Sequence, residues 1–302
     1  MLTYTSSRNL FGTLTNNSST ANLAVGDTLI NAAIREVLRS RNWHFLNKTD
    51  STLTTTASTQ FYRLPYDLAQ VLTVTVAIGS FVYQPREAPS REFWQALNKT
   101  TYTSTYPEYY YVYDGQIGLW PTPSSTGNTV TIYYKRTVKD LSIGDYSTGS
   151  VVSVSNGGTA VVGSGTSWTA KMAGRYIRIT DSDTANTGDG FWYEIASVSS
   201  STALTLVRPY GGTSISAGTA AYVIGQASLI PEDYQDLPVH KAVQVYFTSI
   251  QPEPARAKLY SDLYNQGYSE MVSQEAAPTI SPVIDEGFGV PPNPNLYPSS
   301  LT

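Results

Sequence analysis

The chain contains no cysteine, which excludes disulfides, thiolate nucleophiles and cysteine-ligated metals. Charge is scarce as well. Asp, Glu, Lys and Arg make up 14% of the 302 residues, against roughly 25% in an average soluble protein. Only two histidines are present, His44 and His240. Each falls at the edge of a predicted helix, where packing against a core is a simpler reading than a metal pair or a catalytic couple. No apolar run approaches the roughly eighteen residues of a membrane span, and the opening MLTYTSSRNL lacks the basic and then apolar stretch of a secretory signal. We therefore expect a soluble chain with no membrane partner, assembled in a cytoplasm.

The net charge is −4, and Arg35, Arg39 and Arg41, on one predicted helix, come nearest to a basic cluster. A protein that grips phosphates needs a concentrated basic face. The expectation is that this chain has none, and that DNA could at most pass along its surface. What replaces charge is Ser, Thr, Gly and 23 tyrosines, a composition that suits strands with hydrogen-bonded, weakly charged surfaces.

The segment GDTLINAAIREVLRSRNWHF places Leu29, Ala33 and Val37 beside Ile30, Ile34 and Leu38, two rows on one helical face. Asp27 sits where a cap belongs, and Arg39 and Arg41 fall near the last turn. Strand patterns follow in STLTTTA, QFYRLP and QVLTVTVAIGSFVYQP, with a turn or bulge at Gly79, and then a helical turn at REFWQAL. Asp114-Gly115 predicts a tight hairpin joining Tyr109–Tyr113 to Gln116–Trp120. In NTVTIYYKRTV, Val130, Ile132 and Tyr134 alternate toward one side.

From Ser150 to Gln226 the chain turns Gly/Ser/Thr-rich, with closely spaced short strands typical of a sandwich or small barrel. Helices resume at LPVHKAVQVYFTSI and at EPARAKLYSDLYNQGYSEMVSQ, where Pro254 suits a first turn and Gly267 is out of place. The fold class expected is therefore α+β. A helical bundle and antiparallel β block (residues 1–149 and 227–275) carry an inserted all-β module, Ig-like or a small barrel (150–226), and an extended proline-rich tail (276–302).

No catalytic constellation emerges. VVGSGTSW only approximates a nucleophile elbow. DSDTANTGDG gathers Asp181, Asp183, Asn186 and Asp189 but lacks the glycine and distal glutamate of a calcium loop. Asp140, Asp145, Glu194, Glu232 and Asp233 are acidic, yet no spacing marks a pair for glycoside hydrolysis. We expect no enzyme, no metal and no cofactor. The aromatics carry more information. YPEYYYVYDGQIGLWPTPSS cannot turn consecutive Tyr109, Tyr110 and Tyr111 inward, because neighbours on a strand face opposite ways. With Tyr113 and Trp120 they become candidates for a subunit or tail interface.

The order of these elements, with Trp120-Pro121-Thr122-Pro123 after the aromatic hairpin and Ile230-Pro231 and Leu237-Pro238 opening the helical return, resembles the head-to-tail adaptor proteins of tailed bacteriophages. These are also called connector or tail tubular gatekeeper proteins. The resemblance covers roughly residues 25–142 and 228–273. It implies a virion protein at the head–tail interface, a dodecameric ring beneath the portal protein that continues the DNA channel. A downstream tail, nozzle or fibre protein would be its other partner, and genomic DNA would pass through without sequence-specific binding. It further implies that the C-terminal extension docks on the portal, with Ile280, Ile284, Phe288 and Tyr297 as anchors and Pro291 and Pro292 keeping it extended. The β module departs from that pattern. A rival reading makes it a carbohydrate-binding tail or fibre component, with Trp168, Trp192, Tyr193 and Tyr210 as candidate sugar or fibre contacts.

Overall fold

Apolar residues three and four apart, capping hydroxyls ahead of the helices that start at Tyr4, Thr20 and Arg91, and positive-φ residues at the Gly79, Asp114-Gly115 and Gly157 turns decide much of the local structure. The computed structural model describes residues 1–181 and 187–275. Its helices are Tyr4–Leu14 (α1), Thr20–Arg39 (α2), Arg91–Leu97 (α3), Leu237–Ser249 (α4) and Pro254–Glu275 (α5).

The α2 rows pack as their spacing predicts: Ile30, Ala33, Ile34, Val37 and Leu38 are buried. Its start is corrected. The cap is Ser19, whose hydroxyl accepts from the Asn22 amide, and Asp27 lies inside the helix, paired with Arg8 of α1 at 3.2 Å. The spacing argument overlooked α1. Thr3 caps it by accepting from the Ser6 amide, and its hydroxyl donates to Asp145 at 2.8 Å. Phe11 of α1 is fully buried and meets Tyr246 of α4 edge to face. With Trp43, Tyr264 and Met271 these helices enclose one apolar core. His44 is exposed, contrary to the packing expected of it, whereas His240 is half-buried beside Asp236 and the Tyr260 ring.

The strands of the β block are Asn47–Thr54 (β1), Phe61–Arg63 (β2), Leu68–Ile78 (β3), Phe81–Tyr83 (β4), Arg86–Glu87 (β5), Thr103–Ser104 (β6), Tyr109–Tyr113 (β7), Gln116–Trp120 (β8), Thr122–Pro123 (β9) and Thr129–Arg136 (β10). They form a sheet in the order β1-β10-β3-β4, a second in the order β2-β8-β7-β5, and a short β6-β9 pair. Val74, Val76, Val130, Ile132 and Tyr134 of the first sheet meet Tyr62, Tyr110, Ile117 and Leu119 of the second in a shared core, so the two sheets are a small sandwich.

The later strands are Ser150–Val154 (β11), Ala160–Ser164 (β12), Tyr176–Ile179 (β13), Trp192–Ser200 (β14), Ala203–Leu206 (β15), Ile215–Ala220 (β16) and Tyr222–Gly225 (β17). They make one seven-stranded antiparallel sheet, ordered β16-β11-β12-β15-β14-β13-β17. Its two outermost strands are separated in the chain by Ala221 alone, so the sheet curls toward a barrel around its own core, which includes Trp168, Tyr210 and Tyr222.

One helical glycine reports tight packing. A Cβ on Gly26 would lie 2.4 Å from the Phe11 ring, which has nowhere to go. Helix propensity alone would make Gly26→Ala stabilising by about 1 kcal/mol. The overpacking makes us expect a net loss of about 1–3 kcal/mol in urea denaturation, and a gain would contradict the α1–α2 contact described here.

Candidate functional site

The aromatic hairpin is built as its sequence demands. Asp114 and Gly115 have φ of 50° and 67°, and Tyr109 pairs with Trp120, Tyr111 with Gly118 and Tyr113 with Gln116. Alternation then splits the tyrosines. Tyr110 points into the sandwich and is 5% exposed, so this member of the proposed interface set offers no surface. Burial first, and the nearby Glu87 carboxylate second, push its phenol up to about 12.

The opposite face meets α3. Phe93 packs edge to face on Tyr109 at 5.2 Å, and Trp94 stacks on Tyr111 at 5.6 Å. Trp120 lies between Tyr102 and Tyr109 and donates its Nε1 hydrogen to the Leu97 carbonyl. Gly118 is what lets the Trp94 ring descend, because a Cβ there would come within 2.6 Å of it. Much of the aromatic surface that seemed to need another subunit is thus covered by a helix of the same chain. Tyr113 stays outside, 56% exposed under the Arg91 guanidinium. Tyr106 is also exposed, its ring 4.7 Å from that of Tyr83 on the edge strand β4, next to exposed Phe81 and Val82. Sequence reasoning missed Phe81 and Val82. Their adjacency on a strand that reads as alternating was the available signal.

In the β module the four candidate contacts do not form a platform. Trp168 is 3% exposed and donates its Nε1 hydrogen to the Tyr222 hydroxyl at 2.9 Å, and Tyr210 is 1% exposed. Neither can stack on a sugar ring. Trp192 is half-buried beneath the Arg178 guanidinium, and the Tyr193 hydroxyl donates to Asp189. Burial, and then the Asp189 charge, push the Tyr210 phenol up to about 12.

The acidic residues have separate engagements. Asp140 takes both oxygens to Arg35, Asp145 accepts from Thr3, and Glu232 pairs with the amino terminus. Asp189 also accepts from the Phe191 amide, while Asp183 and Asn186 of the same loop lie outside the described residues. Among the described residues no cluster of His, Asp and Glu could hold a metal ion, and no helix is long and apolar enough to cross a membrane. Ile280, Ile284, Phe288, Pro291, Pro292 and Tyr297, expected from the sequence to dock on a portal, lie outside the described residues too. The chain leads into that segment from Glu275, whose carboxylate accepts from the His44 amide.

Comparison with known proteins gives one family. The profile of the SU10 adaptor protein family matches residues 2–157, a stretch that includes α1, α2, the whole sandwich and β11. No curated protein matches the chain.

The buried phenols set an alkaline limit on this fold. Tyr110, Tyr210 and Tyr264 ionise at about 12, above the ordinary 10.0. Their neutral forms contribute fully below pH 10. From there to about 12 the unfolded chain releases protons that the folded chain retains, so stability falls as pH rises. We expect phenolate absorbance to show a late fraction that titrates only as the protein unfolds. Simultaneous titration of all 23 tyrosines near pH 10 would contradict the burial.

Proposed function

The chain belongs to the SU10 adaptor protein family, and on that premise we propose that it is a non-enzymatic structural adaptor in the virion of a tailed phage. Copies assemble as a dodecameric ring beneath the portal protein, at the head–tail interface, and continue the DNA channel toward a tail, nozzle or fibre protein. DNA passes through on ejection without its sequence being read. The observation that carries this reading is the family match across the helix pair and the sandwich.

Physical features of the chain support it. A ring needs a heterologous interface, in which different faces of neighbouring copies meet. The sheet β1-β10-β3-β4 has two open edges, and Phe81, Val82, Tyr106 and Tyr113 give the sandwich exposed apolar surface for a neighbour to cover.

We read residues 150–226 as a module inserted into a body formed by 1–149 and 227–275. Where the chain enters and leaves the module, Tyr146 and Ile224 bridge to each other, as an insertion at one surface point requires. Such a module is free to serve as a platform for tail or fibre attachment. The tail 276–302 is the portal-docking element. Its prolines favour an extended chain, which loses less entropy on binding, and Ile280, Ile284, Phe288 and Tyr297 supply apolar anchors.

Ending the chain after Ala276 tests this reading. The truncated protein is expected to keep the fold and lose co-sedimentation with portal-bearing heads. Undiminished attachment would overturn the docking role of the tail.

A further inference from the structure

Two neighbouring clefts share Arg136, Thr137 and Val138 in their walls. The smaller, about 380 Å³, lies between α2 and β10; the larger, about 670 Å³, runs from the sandwich to the β module. Arg35 and Lys48 in their walls are neutralised by Asp140 and Asp67 at 2.5 and 3.2 Å. Arg39, Lys135, Arg136, Lys139, Lys171 and Arg175 also line the clefts, and none of them pairs with a carboxylate among the described residues. Against these six stands Glu194, the one other carboxylate in the cleft walls. A chain of net charge −4 thus gathers six unpaired cations around these clefts, three of them from the run Lys135-Arg136-Thr137-Val138-Lys139 and three from elsewhere in the chain.

Two of these groups are unsatisfied in a way that points to an anion. The Nε of Arg136 is buried with no hydrogen-bond partner, and an orphaned charged donor is costly unless a ligand completes it. Arg175 is desolvated, which pulls its pKa down, and it forms no ion pair among the described residues. A guanidinium fork suits phosphate oxygens. On the rim of the larger cleft Tyr66 is 90% exposed, an aromatic face standing in solvent beside cations. Unpaired cations beside an exposed ring match a nucleic acid better than an acidic peptide, because bases have π faces to stack and carboxylates do not.

We propose that the joined clefts bind the phosphodiester backbone of nucleic acid without regard to sequence, with Tyr66 stacking on an accessible base. The inference rests on the cleft side chains alone and does not require the ring or the portal.

Anisotropy of labelled mixed-sequence DNA, single-stranded and duplex, tests it with the full chain. Binding is expected with Kd on the order of 10⁻⁶ M at low salt, weakening linearly on a log–log plot between roughly 50 and 200 mM salt. The triple variant Arg39→Gln, Lys139→Gln, Lys171→Gln should weaken binding by about tenfold or more and lower the salt slope by about 2–3. These three side chains are exposed, so an unchanged thermal midpoint attributes the loss to charge. Lys99→Gln with Lys258→Gln, outside both clefts, should change nothing, and Tyr66→Ala should weaken single-strand binding more than duplex binding. Absence of binding at low salt, or equal loss from the control pair, would overturn the proposal. Preference for poly-glutamate of equal charge with no effect of Tyr66→Ala would overturn it in favour of an acidic protein partner.

Discussion

One buried side-chain amide, that of Gln226, holds together parts of the chain that are remote in sequence. Its Oε1 accepts from the amides of Ser142 and Ile143, its Nε2 donates to the Asp140 carbonyl, and its backbone carbonyl accepts from the Tyr4 amide. Three of these four bonds belong to the one side-chain amide, so replacing Gln226 removes them together. The start of α1, the strap that follows the sandwich and the exit from the β module are fixed at one point. Gln235 repeats the device a few residues on. It accepts from the Leu2 amide and donates to the Ser228 and Ile230 carbonyls. These residues return the chain to its own beginning, where α4 packs on α1 and α2 and α5 packs on α4.

The sandwich meets a different constraint. A strand with a large apolar or aromatic side chain at every position, as in Tyr109–Tyr113, has two apolar faces and one core to put them in. Here Tyr110 takes the core, and α3 supplies a second, local cover for Tyr109 and Tyr111 through Phe93 and Trp94. The absence of a side chain at Gly118 sets how closely that helix can lie. The aromatic surface left over is displaced toward Tyr113, Tyr106 and the β4 edge.

Much of this was legible in the sequence wherever a local rule had no competitor. The Asp114-Gly115 turn, the Val130, Ile132 and Tyr134 alternation, the α2 apolar rows and the Pro254 helix start follow from local geometry. What stayed hidden depends on tertiary contact. The helix α1 is rich in Ser and Thr and reads as coil until Phe11 finds Gly26 and Tyr246. Gly267 looked like a defect, and its place is set by Leu237, whose Cδ2 would lie 2.5 Å from a Cβ there. Trp168 and Tyr210 resembled sugar contacts because each sits in a loop, and only the fold shows those loops turning the two rings into the core of the module. The basic clefts were invisible for the same reason. Lys135, Arg136 and Lys139 stand within five residues of one another in the sequence, but only the fold adds Arg39 of α2 and Lys171 and Arg175 of the β module to them.

The family, the return of the chain onto its own start and the open sandwich edges combine into an account of a subunit made to sit beside copies of itself on a larger assembly. Electron microscopy of the full-length protein mixed with portal-bearing, DNA-filled heads tests that account most directly. The account predicts a new ring-shaped collar at the portal vertex, with the β modules projecting outside the channel. Heads whose portal vertex stays bare at saturating protein would contradict it.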